Sequence, residues 1–283
     1  MARMKTISLV CCSVLAVFIE TGAACLNISG VTMDGKKAEI GEVGFFFSRQ
    51  SLTGRGQDKG FWESRLASLE PKMKVASPTT RDRADYGGVL VHLGQLEKAR
   101  TVLEAAEAAE PGNYAVAANL GTTYELLGEN AKALEWIKKG MERNPASHQA
   151  SEWVHVKILE AKQALAADPK WLETHSVLGA DYGAEPRPSF HAKELRMENR
   201  RVLNSAGYQL AERLQFVKAP DPLVGDVLFD LANALAVAGT VETALGVYEL
   251  AQEYQAPRAA LLAQRITFMR VVLGKAMNKA TRQ

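Results

Sequence analysis

Cysteine is almost missing from this chain: Cys11, Cys12 and Cys25 are the three in 283 residues. Two of them sit inside an apolar run at the amino terminus, so once that run is removed no internal disulfide framework remains. Charge of one sign is missing too. A net charge of +2 is too small to create the field that draws nucleic acid or an anionic membrane. The densest basic stretch, Lys193, Arg196, Arg200 and Arg201, is broken up by Glu194 and Glu198 and has few aromatics nearby. It reads as a solvated helix face, not as a track for phosphates or stacked bases.

Sites for chemistry are scarce as well. No G-x-S-x-G elbow occurs, and the single cysteine left after Ala24 stands at the chain terminus. Residues 30–37 come close to a phosphate loop, but Lys37 stands where serine or threonine must hold magnesium. Residues 54–60 miss the dinucleotide spacing by one position. No cofactor is expected, and no metal site is assigned. His148, Glu152 and His155 fall at steps of four and three, on one face of a helix expected to begin near Ser147. Histidine with glutamate can bind zinc, but the order is not H-E-x-x-H and no third protein ligand is identifiable. The three are read as a solvated polar face.

The first 24 residues have the form of a secretory signal peptide. Arg3 and Lys5 precede an apolar run from Ile7 to Ile19, which exits through Gly22-Ala23-Ala24. The run is shorter than the roughly 20 residues of a spanning helix, so no membrane span is expected in the mature chain. Cleavage after Ala24 implies an exported protein, periplasmic or secreted; a retained anchor is the alternative. Cys25 invites a lipoprotein reading. Gly22, however, stands where a lipobox has leucine or a similar residue, and lipidation is set second.

What the chain does have is a 34-residue unit written twice. Gly94, Ala99, Leu103, Ala106 and Pro111 fall over Gly128, Ala133, Ile137, Gly140 and Pro145, and Tyr86-Gly87 falls over Leu120-Gly121. Thirty-four residues make two antiparallel helices with two short turns, and one such pair cannot bury its own apolar face. Gly121, Ala133 and Gly140 are small where the helices should cross, and Gly94 and Gly128 stand where the chain must reverse. Asn119-Leu-Gly-Thr-Thr-Tyr124, with Gly128, Ala133 and Pro145, resembles the tetratricopeptide repeat (TPR). The resemblance implies an all-α fold, a right-handed superhelical solenoid of antiparallel helix pairs behind a short irregular amino-terminal segment.

The rest of the chain is divided around these units. Residues 25–58 form the irregular segment, with a hairpin turn at Asp34-Gly35. The array spans 59–277. A helix from Asp58 to Lys74 caps it through Phe61, Leu66, Leu69 and Met73, with Trp62 closing that end. Repeats at 80–113 and 114–147 follow, then divergent helices over 148–217 with a loop at 179–193. Within that part, 147–165 and a shorter helix at 171–178 read as a third pair, and 194–217 as one further helix. The motif returns at 225–258, where Leu231, Leu235, Gly239 and Ala244 repeat the earlier spacing. Pro257 opens a last helix whose Arg265, Arg270 and Lys275 are expected toward solvent, and residues 278–283 are expected to be a disordered tail.

In TPR proteins one face of each first helix lines the concave side of the array. The resemblance places Arg81, Ala84, Gly88 and Val91 there in one repeat, and Ala115, Ala118, Thr122 and Glu125 in the next. In the last good repeat it places Asp226, Phe229, Asn233 and Ala236. Most are small enough to leave a channel, with Thr122, Glu125 and Asn233 available for hydrogen bonds. The function implied is a non-catalytic scaffold that binds an unidentified protein or peptide segment. A metal-dependent hydrolase in the divergent middle and a self-assembling repeat protein are the alternatives.

Overall fold

A computed structural model describes residues 29–39, 46–191 and 198–280. The expected signal peptide, its cleavage point and Cys25 lie outside the described residues. The described chain is mostly helical, with successive helices packed on their neighbours.

The capping helix is α2 (Lys59–Met73), and the two repeats are α3 (Thr80–His92) with α4 (Leu96–Ala109), then α5 (Tyr114–Leu126) with α6 (Asn130–Arg143). Each first helix starts on a side chain that accepts an orphan backbone N–H: Asp58 from Phe61 (2.7 Å), Thr79 from Asp82 (3.0 Å), Asn113 from Val116 (3.2 Å). The reversals come at Gly94 (φ +71°) and Gly128 (φ +82°), where the next N–H reaches back to Leu90 and Tyr124 at 2.9 Å each. That is the left-handed C-terminal cap only glycine adopts without cost. Between the helices, a Cβ on Gly87 would lie 2.6 Å from Leu103 Cγ, and one on Gly121 2.6 Å from Ile137 Cγ1. The same close crossing therefore recurs one unit later. In the cap, Leu69 is buried, Phe61 stays half exposed, and Trp62 stacks on His92 at 3.6 Å.

The divergent middle departs from the expected layout. No helix starts at Ser147: residues 147–150 form a tight turn in which His148, Gln149 and Ala150 take φ of +46°, +58° and +57°. The helix, α7, runs Glu152–Ala167, so His148 is not on it. Its partner α8 is one turn, Trp171–Thr174, and the expected third pair has no full second helix. From His175 to His191 the chain is irregular, with bends and positive φ at Gly179 (+68°) and Gly183 (+71°), and Asp181 and His191 form an isolated antiparallel bridge. Helix α9 (Asn199–Arg213) then packs on α7, and α10 (Pro222–Ala238) with α11 (Val241–Glu253) makes the last repeat. Helix α12 (Ala259–Ala280) closes the array and includes Asn278–Ala280, which were expected in the tail. Arg270 and Lys275 are exposed as expected; Arg265 is not, at 1% exposure.

Two hydrophobic cores result, one around Leu90, Leu103, Leu120 and Ile137, the other around Val202, Leu210, Leu228, Leu231 and Tyr248. Helix α7 serves both, with Leu159 facing the first and Val154 and Ile158 facing the second. The amino-terminal segment packs on the far half. Strands β1 (Ser29–Val31) and β2 (Lys37–Glu39) pair antiparallel around Gly35 (φ +72°), and Val31 N–H donates to Glu242 at 2.9 Å. Helix α1 (Arg49–Thr53) buries Leu52 there, and Phe47 fills the space over Gly207.

Candidate functional site

Between the two cores lies a cavity of about 180 Å³. Helices α3 and α5 form one wall, α9 and the turn after it the opposite wall, and α7 with its preceding turn one end. The volume is far above the roughly 10–15 Å³ that one water needs. Of the face positions taken from the sequence, Gly88, Val91, Ala118, Thr122 and Glu125 line it. Arg81, Ala84 and Ala115 do not. Ala84 is buried and its carbonyl accepts Asn119 Nδ2 at 3.0 Å, Arg81 is exposed, and Ala115 packs into the first core.

The last repeat corrects the expected channel. Asp226, Phe229, Asn233 and Ala236 are all buried; Val177 of the 175–191 segment meets Asp226, and Arg265 of α12 meets Phe229 and Asn233. Asp226 accepts the Val177 N–H at 2.7 Å and Arg258 at 2.6 Å. Arg265 bonds Asn233 and reaches the carbonyls of Tyr182 (3.0 Å) and Gly183 (2.6 Å). Buried polar groups must find partners, and here Val177 supplies one to Asp226, Arg258 another, and Arg265 and Tyr248 bond the Asn233 oxygen.

At the floor of the open cavity stands Glu125, buried on α5. It receives His155 Nε2 (2.6 Å), Lys162 Nζ (2.6 Å) and the two terminal nitrogens of Arg213 (2.6 and 3.1 Å). Burial alone would raise its pKa; Arg213 and His155 outweigh burial and hold it well below the usual carboxylate range. Beside it, Glu152 begins α7 and bonds His148 through Oε1, with His155 Nδ1 3.5 Å from Oε2. Burial opposes its charge as well, yet the two histidines bring its pKa down to about 2. The imidazolium of His155 is disfavoured by burial but favoured more strongly by Glu125, so its pKa ends raised. His92, at the other side of the cavity, has no carboxylate beside it, and burial lowers it to about 4.

The solvated-face reading of His148, Glu152 and His155 is thus overturned. Glu152 and His155 are 5% and 7% exposed, and all three line the cavity as partners of one another. Among the described residues, no three histidine, cysteine, aspartate or glutamate side chains are arranged to hold a metal ion. Arg213, Gln209 and Phe216 were missed. The signal was present: Gln209 and Arg213 stand on the same helical face as buried Ala206 and Leu210, polar residues where core residues belong.

A family model for the tetratricopeptide repeat matches residues 83–152, which holds α3 to α6 and the turn that carries His148. That segment, about a quarter of the chain, is similar to the tetratricopeptide repeat family. Among solved structures, a TPR protein from Parabacteroides merdae ATCC 43184 matches at 17% identity with a TM-score of 0.36, over 84% of this chain and 93% of that one. No curated protein matches the sequence. Within the matched segment α3 and α5 supply one wall of the cavity; α9, beyond it, supplies the other.

Proposed function

We propose that this chain is an exported, non-catalytic scaffold that holds a protein segment in the cavity between α3, α5 and α9. One observation carries the reading. Five positions that the TPR resemblance assigns to the ligand face line a single cavity, which has an apolar side at Val91, Leu126 and Phe216 and a polar end at Thr122, His148 and Glu152. A concave site of that mixed lining is the usual form of a recognition pocket. Export is supported by the signal-peptide pattern of residues 1–24. Among the described residues no helix is long and apolar enough to cross a membrane.

Thr122 is half-buried on the cavity lining. Thr122→Arg is expected to fold and melt like the parent while losing the partner that the parent captures from envelope or culture medium. Equal recovery from the folded variant would move the binding surface elsewhere. Mass spectrometry of the amino terminus tests export, with a mature chain beginning at Cys25 as the expected result.

A further inference from the structure

Glu152 carries an oxygen that its surroundings do not satisfy. Its carboxylate is 5% exposed, yet Oε2 accepts no hydrogen bond, the His155 Nδ1 contact of 3.5 Å being too long for one. A buried ionised carboxylate normally takes several donors. His148, bonded to the other oxygen, is the loosest member of the cluster, with 41% of its side chain exposed. It is also carried by three consecutive non-glycine residues in the left-handed region, a backbone held against its own preference. Strain of that kind clusters at ligand clamps and switch regions.

The neighbouring cations keep few donors uncommitted: Arg213 Nε, which is buried and unpartnered, and His155 Nδ1, 3.5 Å from Glu152 Oε2. Arg213 commits both terminal nitrogens to Glu125, and His155 commits Nε2 to it. Gln209 Nε2 donates to Ser151 Oγ at 3.0 Å, and Ser151 Oγ itself donates to the His148 carbonyl at 2.6 Å. The serine can therefore only accept from Gln209, which fixes the amide orientation and leaves its oxygen without a protein partner. At the mouth, Glu212 is exposed and takes a 3.3 Å bond from Gln215. Acceptors thus dominate the polar lining.

We propose that the cavity takes the ammonium or guanidinium of a lysine or arginine on a partner segment, which replaces the His148 imidazole on Glu152 and meets Glu212 at the mouth. This rests on the cavity being the partner site and names the chemistry it selects. Val91, Leu126 and Phe216 cover the alkyl stem while the charged head reaches the carboxylates. His148 is then a placeholder for the incoming cation. It faces Glu152 and His155 from α7, Tyr114 from α5, and Tyr208 and Glu212 from α9. The Glu152 hydrogen bond, followed by the charges of Glu152 and Glu212, raises its pKa against burial and His155. A protonated His148 competes with the ligand's charge, whereas a lysine stays charged to about pH 10.

The test uses the mature chain and four capped five-residue peptides with leucine on each side of a central lysine, arginine, acetyl-lysine or glutamate. Binding is followed through the side-chain amide signals of Asn119 and Gln209. The lysine and arginine peptides are expected to shift both signals, with affinity at least about tenfold above the acetyl-lysine and glutamate peptides, a difference of one charge pair. Lysine-peptide affinity should rise from pH 6 to pH 8. His148→Ala, checked for unchanged melting, should strengthen binding and flatten that rise, and Glu212→Gln should weaken it. Equal affinity for acetyl-lysine, or tighter binding of glutamate, overturns the proposal while leaving the cavity as a partner site. Failure of all four peptides also overturns it, and the Thr122→Arg capture then decides separately whether the cavity holds a partner.

Discussion

Arg213 Nη1 lies 2.6 Å from Glu125 Oε1 and Arg213 Nη2 3.1 Å from Glu125 Oε2, a two-pronged contact between residues 88 positions apart. It joins α5 to α9 across the floor of the cavity. Because both groups are buried, the contact fixes a geometry more than it adds stability, and losing one partner strands the other charge.

Arg213→Met is therefore expected to lower unfolding stability by about 3–5 kcal/mol in urea, since Glu125 stays buried with reduced compensation. Glu125→Leu combined with Arg213→Met should recover most of that loss. A double variant as unstable as the sum of the singles would show that the pair is not coupled.

The helix crossing of the second repeat gives a sharper packing test. A Cβ at Gly121 would meet Ile137 Cγ1 at 2.6 Å and the Ile137 backbone nitrogen at 3.2 Å. Gly121→Ala is expected to cost about 1–3 kcal/mol, the usual range for overpacking. Combined with Ile137→Ala, the total should be less than the sum of the two. Strict additivity in chemical denaturation would contradict the crossing.

Acid sensitivity has a specific source at His92. Burial puts its folded pKa at about 4, below the ordinary 6.5, so the unfolded chain binds the proton first. Its contribution is present above pH 6.5 and is lost as pH falls toward 4. His148 and His155 have raised values and act in the opposite sense: their contribution is full below pH 6.5 and is lost as pH rises through their folded values. His92→Phe keeps a ring on Trp62 and is expected to flatten the fall in urea midpoint between pH 6.5 and pH 4. An unchanged slope would assign that fall to other groups.

Much of the repeat region was legible because its signals are local and periodic. Gly87 over Leu103 and Gly121 over Ile137 share the 34-residue step, and Gly94 and Gly128 mark the reversals by the same step. Of the eight face positions assigned on α3 and α5, five line the cavity, and Arg81, Ala84 and Ala115 do not. Arg213, Arg265 and the left-handed turn at His148 were not legible. Their partners lie 88, 32 and 4 positions away with no recurring interval, and a polar residue on an apolar face does not say which charge it meets.

The irregular 175–191 segment depends on Arg265, which holds the carbonyls of Tyr182 and Gly183. Arg265→Met removes those donors and leaves buried acceptors unpaired, at about 1–3 kcal/mol for each. Amide exchange is expected to quicken across residues 177–190 while α3 to α6 keep their protection. Uniform loss across the chain would mean that the segment is not a separate unit.

Photo-crosslinking from the cavity tests the partner site most directly. A photoreactive residue placed at Thr122, inside the cavity, is compared with one at Thr101, exposed on α4. After capture from native envelope or medium, covalent partner adducts are expected from position 122 and not from position 101. Adducts from position 101 alone would contradict the cavity as the proposed partner site.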